Sequence, residues 1–404
     1  MGKIHQTLVI MASTLLSATL LPLTADAEEE EVKATPHAER QISIELLDPE
    51  QQMQRFTYDS GYDFEYPDAV RGIYVTGNSA GGSRFESLVN LLDETALNSM
   101  VIDIKEDNGN LTFQPEEGSR YEDIAKNYIG DPEEMMKVLE EKGIYPIARV
   151  VVFKDNELAK KRPDLSFRQK NGEVWSNGKG ESFVNPFEKE VWDYNVEIAK
   201  MAAEMGFQEI QFDYVRFPEG FETRDQELEY SEGDYADMDM NNVQKRVEAV
   251  TDFVAYAREE LEYYDVDVSV DIFGYSATID EAPGIGQNFS RIADNVDVIS
   301  SMIYPSHWGP YFGIEKPDTE PYNLVNEYAK VEKEVLSQLE DPPVSRPWLQ
   351  DFSAPWLYSG PTFVYGKEEV EAQIRALYDN GIDEFLLWDS GNSYTENVDY
   401  MIGK

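Results

Sequence analysis

The chain has 404 residues and carries 79 acidic against 34 basic side chains, for a formal net charge of −45, with no cysteine. A negative charge spread along the sequence repels nucleic acid and anionic membranes and disfavours a polyanionic substrate. The missing thiols exclude disulfides, thiolate metal sites, a lipidated cleavage site and a cysteine nucleophile.

Residues 1–27 read as a secretion signal. Lys3 and His5 give a short polar lead, Leu8 to Leu23 form an apolar run broken by Ser and Thr, and Ala25-Asp26-Ala27 supplies a small-x-small cleavage pattern. The run is short for a spanning helix and carries several hydroxyls. The expectation is a secreted, extracellular protein that starts at Glu28 and has no membrane association after cleavage. Residues 28–65 open on the Glu28 to Glu31 run and show no sustained period, as an acidic linker or N-terminal extension does.

From Tyr66 to the C-terminus, strands and helices alternate. A strand over 71–75 leads through a glycine-rich turn to a helix opened by Ser83, where Ser83-x-x-Glu86 predicts a capping box. A second strand spans 100–104. Asp131 and Pro132 start a helix that Gly143 closes. A third strand covers 145–152 and runs into a long polar insertion. Asn185-Pro186 opens a helix ended by Gly206, and the fourth strand follows in Ile210-Gln211-Phe212-Asp213, stopped by Pro218. A long helix over 241–263 shows apolar residues at helical spacing, Val243, Val247, Val250, Val254 and Leu261. Strands at 266–272, 296–304, 347–351 and 384–389 complete the set, with helices at 322–339 and 367–380 between the later ones. Eight strands with helix-length connections predict an α/β fold, a (β/α)8 TIM barrel over 66–404 with an N-terminal extension; a doubly wound open sheet is the alternative.

Two loop motifs fail on chemistry. Gly77 to Gly82 has the glycine spacing of a phosphate loop, but Ser83 and Arg84 stand where the cationic lysine is needed. Asp237, Asp239, Asn241 and Glu248 have calcium-loop spacing, yet Asn242 occupies the glycine position. With three histidines and only His307 near a strand end, no metal site or other cofactor is expected.

The strand exits carry the candidate chemistry, because a parallel barrel gathers its functional groups at the C-terminal ends of its strands. Asp213 and Asp271 lie at matching exits of adjacent strands, as a pair of carboxyl groups for glycosidic cleavage requires. Asp103 and Lys105 are two apart on one strand and are expected on the same inward face. Arg149 reads as a buried partner for an acid. Tyr304, His307 and Trp308, then Trp348, Gln350, Asp351 and Trp356, then Trp388 and Asp389, set aromatic faces beside amides and carboxylates. A sugar, with C–H faces and hydroxyls, suits such a lining.

The segments Arg71-Gly72-Ile73-Tyr74-Val75, Val101-Ile102-Asp103-Ile104-Lys105, Phe212-Asp213-Tyr214-Val215-Arg216-Phe217-Pro218, Ser269-Val270-Asp271-Ile272-Phe273-Gly274 and Met302-Ile303-Tyr304-Pro305-Ser306-His307 together resemble the bacterial glycosyl hydrolase domain family. These are secreted barrels related distantly to α-amylase-like glycosidases, and the resemblance covers about residues 66–404. It implies a glycoside hydrolase acting on a cell-envelope polysaccharide or an exopolysaccharide. In amylase-like barrels the nucleophile ends strand four and the acid/base ends strand five, which fall on Asp213 and Asp271; this chain departs from them with Asp, not Glu, on strand five. Asp103, Lys105, Arg216, Tyr304 and Asp351 would position the sugar. The alternative is a non-catalytic glycan-binding barrel.

The charge makes its own prediction. Screening weakens self-repulsion, so the melting temperature should rise between dilute buffer and molar NaCl. A flat or falling melting temperature would contradict it.

Overall fold

The computed structural model describes residues 57–357 and 362–404. The expected signal segment 1–27 and the extension as far as residue 56 lie outside the described residues.

Eight parallel strands close on themselves: β1 Arg71–Val75, β2 Ser99–Lys105, β3 Tyr145–Val151, β4 Glu209–Asp213, β5 Asp267–Phe273, β6 Val298–Met302, β7 Trp348–Gln350 and β8 Phe385–Trp388. Each pairs with its neighbour in chain order, and β1 pairs with both β2 and β8, so the sheet is a barrel and not an open sheet. Helices follow the strands: α1 Arg84–Asp93, α2 Pro132–Glu141, α3 Lys189–Glu204, α4 Asn242–Leu261, a short α5 Phe289–Ala293, α6 Pro321–Leu336 and α7 Lys367–Asp379. The strand period of two sorts the core into layers. Ile73, Ile102, Phe212 and Leu387 face out under the helices, while Tyr74, Val101, Ile147, Trp348 and Leu386 fill the interior.

The caps agree with the sequence in most places. Asp131 accepts from the Glu134 amide, Asn241 from the Gln244 amide, and Gly143, Gly206 and Gly381 all take positive φ past their helices. Ser83 is a correction. It precedes α1, but its own backbone is already helical (φ −61°, ψ −14°) and its hydroxyl makes no capping bond, so the box does not form. The chain also makes a turn after Asn185 before α3 begins at Lys189, with the Glu188 amide bonding back to the Asn185 carbonyl.

A tight hairpin leaves β2 at the barrel mouth, where Lys105 pairs antiparallel with Leu111 of the short strand Leu111–Phe113. Gly109 sits in its turn at φ +94°, and a Cβ there would lie 2.0 Å from Asp155 Oδ1. Only glycine fits both the left-handed backbone and that contact. The hairpin lifts Asp107 over the mouth.

The opposite end is closed by charge. Arg346 is fully buried; its Nη1 reaches both oxygens of Glu209 at 2.8 and 2.7 Å, its Nε reaches Glu384 at 2.7 Å, and its Nη2 donates to the Tyr66 hydroxyl at 2.8 Å. Residues 58–66 run beneath this cluster, held by the Tyr58 amide on the Tyr263 carbonyl and the Asp63 amide on Glu140. Arg346→Met would strand two carboxylates in the interior. It should cost about 3–5 kcal/mol in urea unfolding, and a loss below about 1 kcal/mol would show that the cluster does not hold the barrel floor.

Candidate active site

The site forms where β3, β4 and β5 end. The ladder pairs Val151 with Asp213 and Phe212 with Val270. The next residues up, Asp213 and Asp271, therefore stand side by side at the strand spacing of about 4.8 Å. Both border a cavity of about 250 Å³ together with Arg149, Arg216, Tyr304 and Trp388.

Arg149 is the hub. It is 1% exposed, and its Nε and Nη2 both donate to Asp213 Oδ2, at 2.9 and 2.5 Å. Its Nη1 donates to Asp103 Oδ1 at 2.7 Å and its Nη2 to Asp107 Oδ1 at 2.9 Å. Asp213 Oδ1 accepts the Tyr214 amide at 2.6 Å, and Tyr214 holds φ +53° to aim it there. Such a backbone is strained for an aromatic residue. It is clamped by Lys154, whose Nζ lies 4.4 Å from the ring centroid, 3.2 Å from the hydroxyl and 2.9 Å from Asp107 Oδ2. Behind Arg149, Tyr74 donates to Asp103 Oδ2 at 2.6 Å and stacks on Trp388 with centroids 4.0 Å apart.

Asp271 lies beside this network but outside it. Among the described residues no cation touches it, and its Oδ1 accepts the Trp348 indole N–H at 2.7 Å. Burial first, then the negative charge of Asp213, hold its carboxyl well above the usual range, and Arg149 offsets only part of that. Burial likewise pushes Asp103 up to about 6 against the pull of Arg149. Burial also opposes ionisation of Asp107, yet Arg149 and Lys154 bring it down to about 2. Burial lowers His307, which favours the neutral imidazole. Two adjacent carboxyls thus have unequal surroundings, one tied to a guanidinium and the other inclined to keep its proton, as an acid and its partner need.

The structure gathers Asp213, Asp271, Arg216, Tyr304, His307 and Trp388 around the cavity. Asp103 stands behind Arg149, facing a second cavity. Five expected ligands are elsewhere. Lys105 is fully buried and bonds Asp155 at 2.7 Å and the Val151 carbonyl at 2.6 Å, because the β2–β3 register slips between Asp103 and Lys105 and separates two residues that a regular strand keeps together. Gln350 spends its amide on the Ser306 amide, Asp318 and the Phe352 carbonyl. Asp351 accepts the amide and hydroxyl of Thr395 and anchors the last loop. Asp389 caps the turn at Gly391 and Ser393. Trp308 packs among Tyr311, Phe312 and Tyr328. Trp348 contributes its N–H to Asp271, and Trp356, 65% exposed, stacks on Phe352 beyond the cavity.

Sequence reasoning missed Asp107, Lys154 and Tyr214 as members of the network. Asp107 follows the β2 exit in a hairpin that no strand period reveals, and the role of Tyr214 depends on its φ. Lys154 had one signal: like the other functional groups, it follows directly on a strand exit. Among the described residues, no group of His, Asp and Glu is arranged to hold a metal ion.

A protein-family model described as "Putative glycosyl hydrolase domain" matches residues 72–394. Among solved structures, the chain is similar to the glycoside hydrolase domain of PgaB (BpsB) from Bordetella bronchiseptica, at 14% identity over 80% of this chain and 94% of that one, with a TM-score of 0.56. It is also similar to a polyextremophilic β-galactosidase from the Antarctic haloarchaeon Halorubrum lacusprofundi, at 14% identity over 79% of this chain and 52% of that one, with a TM-score of 0.53. At such identities these two likenesses show the fold alone. A hypothetical protein from Ruminiclostridium thermocellum ATCC 27405 is 33% identical over 49% of this chain and 96% of its own, with a TM-score of 0.43. No curated protein matches the chain.

The raised Asp271 sets a stability test. A carboxyl whose folded value lies above its unfolded value of about 3.9 holds its proton more tightly in the fold, so it lowers stability as pH climbs above about 4. Asp271→Asn keeps the Trp348 bond and removes that liability. The variant should melt several degrees above the parent at pH 7 and converge with it near pH 3, by calorimetry. A parent more stable than the variant at pH 7 would contradict the assignment.

Proposed function

Because the chain belongs to the glycosyl hydrolase domain family, we propose that it cleaves the glycosidic bonds of a polysaccharide with Asp213 and Asp271 as its carboxyl pair. The observation that carries this reading is their placement side by side at one cavity, with Arg149 on one and, among the described residues, no cation on the other. Asp271 keeps a proton to give to the leaving oxygen. Asp213, aligned by Arg149 and the Tyr214 amide, attacks the anomeric carbon. Neighbouring strands separated by about 4.8 Å suit the about 5–5.5 Å carboxyl separation of double displacement. In the second half, Asp271 takes a proton from water as that water releases the sugar from Asp213, so the anomeric configuration is retained.

The wall of the cavity suits a sugar. Trp388 and Tyr304 offer ring faces, and Arg216, its guanidinium 4.7 Å from the Phe273 ring and 4.9 Å from that of Tyr214, supplies a fixed donor. The leader-like residues 1–27 support secretion and, with it, a polysaccharide of the cell envelope or an exopolysaccharide. One observation favours a second reading, a glycan-binding barrel without turnover: Arg149 occupies Asp213 Oδ2 with two nitrogens. Release of new reducing ends from a polysaccharide panel separates the two.

Asp213→Asn and Asp271→Asn are nearly isosteric and should each lower turnover on the order of 10³-fold or more, about 4 kcal/mol in the barrier. Asp103→Asn, which touches Arg149 but not the cavity, should cost far less. The parent should lose activity at high pH as Asp271 surrenders its proton. Asp→Asn at either position with turnover intact would refute the pairing.

A further inference from the structure

A second cavity, about 320 Å³, opens at the ends of β1 and β2, and Asp107 lines both it and the cavity of the acid pair. Its floor is Asp103 and Thr112, its sides are Glu106 and Asn108 from the hairpin, and its rim carries Asn78 and the partly exposed ring of Tyr128. These walls are fixed before any ligand arrives. Asp103 is held by Arg149 and Tyr74; Glu106 accepts the Asn110 amide at 3.2 Å and its side chain at 2.7 Å; Thr112 donates to the Asp103 carbonyl at 2.7 Å.

We infer that this second cavity is a further glycan subsite, taking a neutral or amino-substituted sugar unit of the same chain that is cut at Asp213 and Asp271. The inference rests on the proposed function for the reaction but not for the binding. Three features carry it. The shared Asp107 sets the two cavities next to each other at the mouth, within reach of neighbouring units of one glycan chain. The lining of carboxylates, amides and hydroxyls around an aromatic rim is the pattern that recognises hydroxyls and ring faces. The charge selects: Asp103, Glu106 and Asp107 line this cavity, the nearby cations being Arg149, on Asp103 and Asp107, and Lys154, on Asp107, with Arg149 shared with Asp213. The surplus is negative, which repels uronic or sulfated units and accepts hydroxyls or an ammonium group.

The test is native affinity electrophoresis of the full chain in gels containing hydroxyethyl cellulose, galactomannan, glycol chitosan, hyaluronan or heparin. The parent should be retarded by at least one of the first three and by neither polyanion. Asn78→Trp, which fills the rim from an exposed position, should weaken that retardation tenfold or more at an unchanged melting temperature. Tyr128→Ala, which removes the ring alone, should weaken it too. No retardation in any of the first three gels, stronger retardation by hyaluronan or heparin, or retardation indifferent to both substitutions would overturn the subsite. The two readings fail separately. Retardation that depends on Asn78 and Tyr128 without new reducing ends leaves the subsite and removes the hydrolase; new reducing ends with retardation indifferent to these residues does the reverse.

Discussion

One buried guanidinium organises the working end of this barrel. Arg149 holds Asp213, Asp103 and Asp107 at once while only 1% exposed. A buried cation needs such company, since removing one partner of a buried pair costs about 3–5 kcal/mol. The consequence reaches beyond stability. By spending its donors on three carboxyls and none on Asp271, Arg149 leaves one member of the adjacent pair only partly compensated. Burial and the charge of Asp213 then favour the protonated form of Asp271. The difference in chemistry between two identical side chains is a difference in who touches them.

The barrel repeats the device at its other end. Arg346 gathers Glu209 and Glu384 under the floor, and Tyr66 completes the cluster from the segment that enters the barrel. Between the two arginines the interior is mainly aromatic and aliphatic, with Trp348 and Tyr74 passing hydrogen bonds up to Asp271 and Asp103. Charge at both ends brackets an apolar middle, and at each end a buried arginine meets the carboxylates that are buried there.

The barrel was legible because its signals are local and repeated: period-two strands, capped helices and glycines at their ends. Asp213 and Asp271 were legible for the same reason, each being the last polar residue of an alternating strand. What escaped the sequence depends on departures from regularity. The slipped register after Asp103 turns Lys105 into a buried partner of Asp155. The hairpin at Gly109 delivers Asp107 to the mouth, and the positive φ of Tyr214 points an amide at Asp213. Gln350 and Asp351 sit at a strand exit as expected of ligands, yet their bonds tie loops together. A strand exit identifies the layer in which chemistry happens, but not which of its polar groups face the substrate.

The central claim is that burial, and then the neighbouring charge of Asp213, make Asp271 keep its proton above the ordinary aspartate range. A 13C NMR titration of aspartate carboxyl carbons, run on the parent and on Asp271→Asn, measures this directly. The account predicts one carboxyl in the parent that titrates well above the ordinary aspartate range of about 3.5–4 and is missing from the variant. A parent in which every carboxyl lost in the variant titrates within the ordinary range would contradict it.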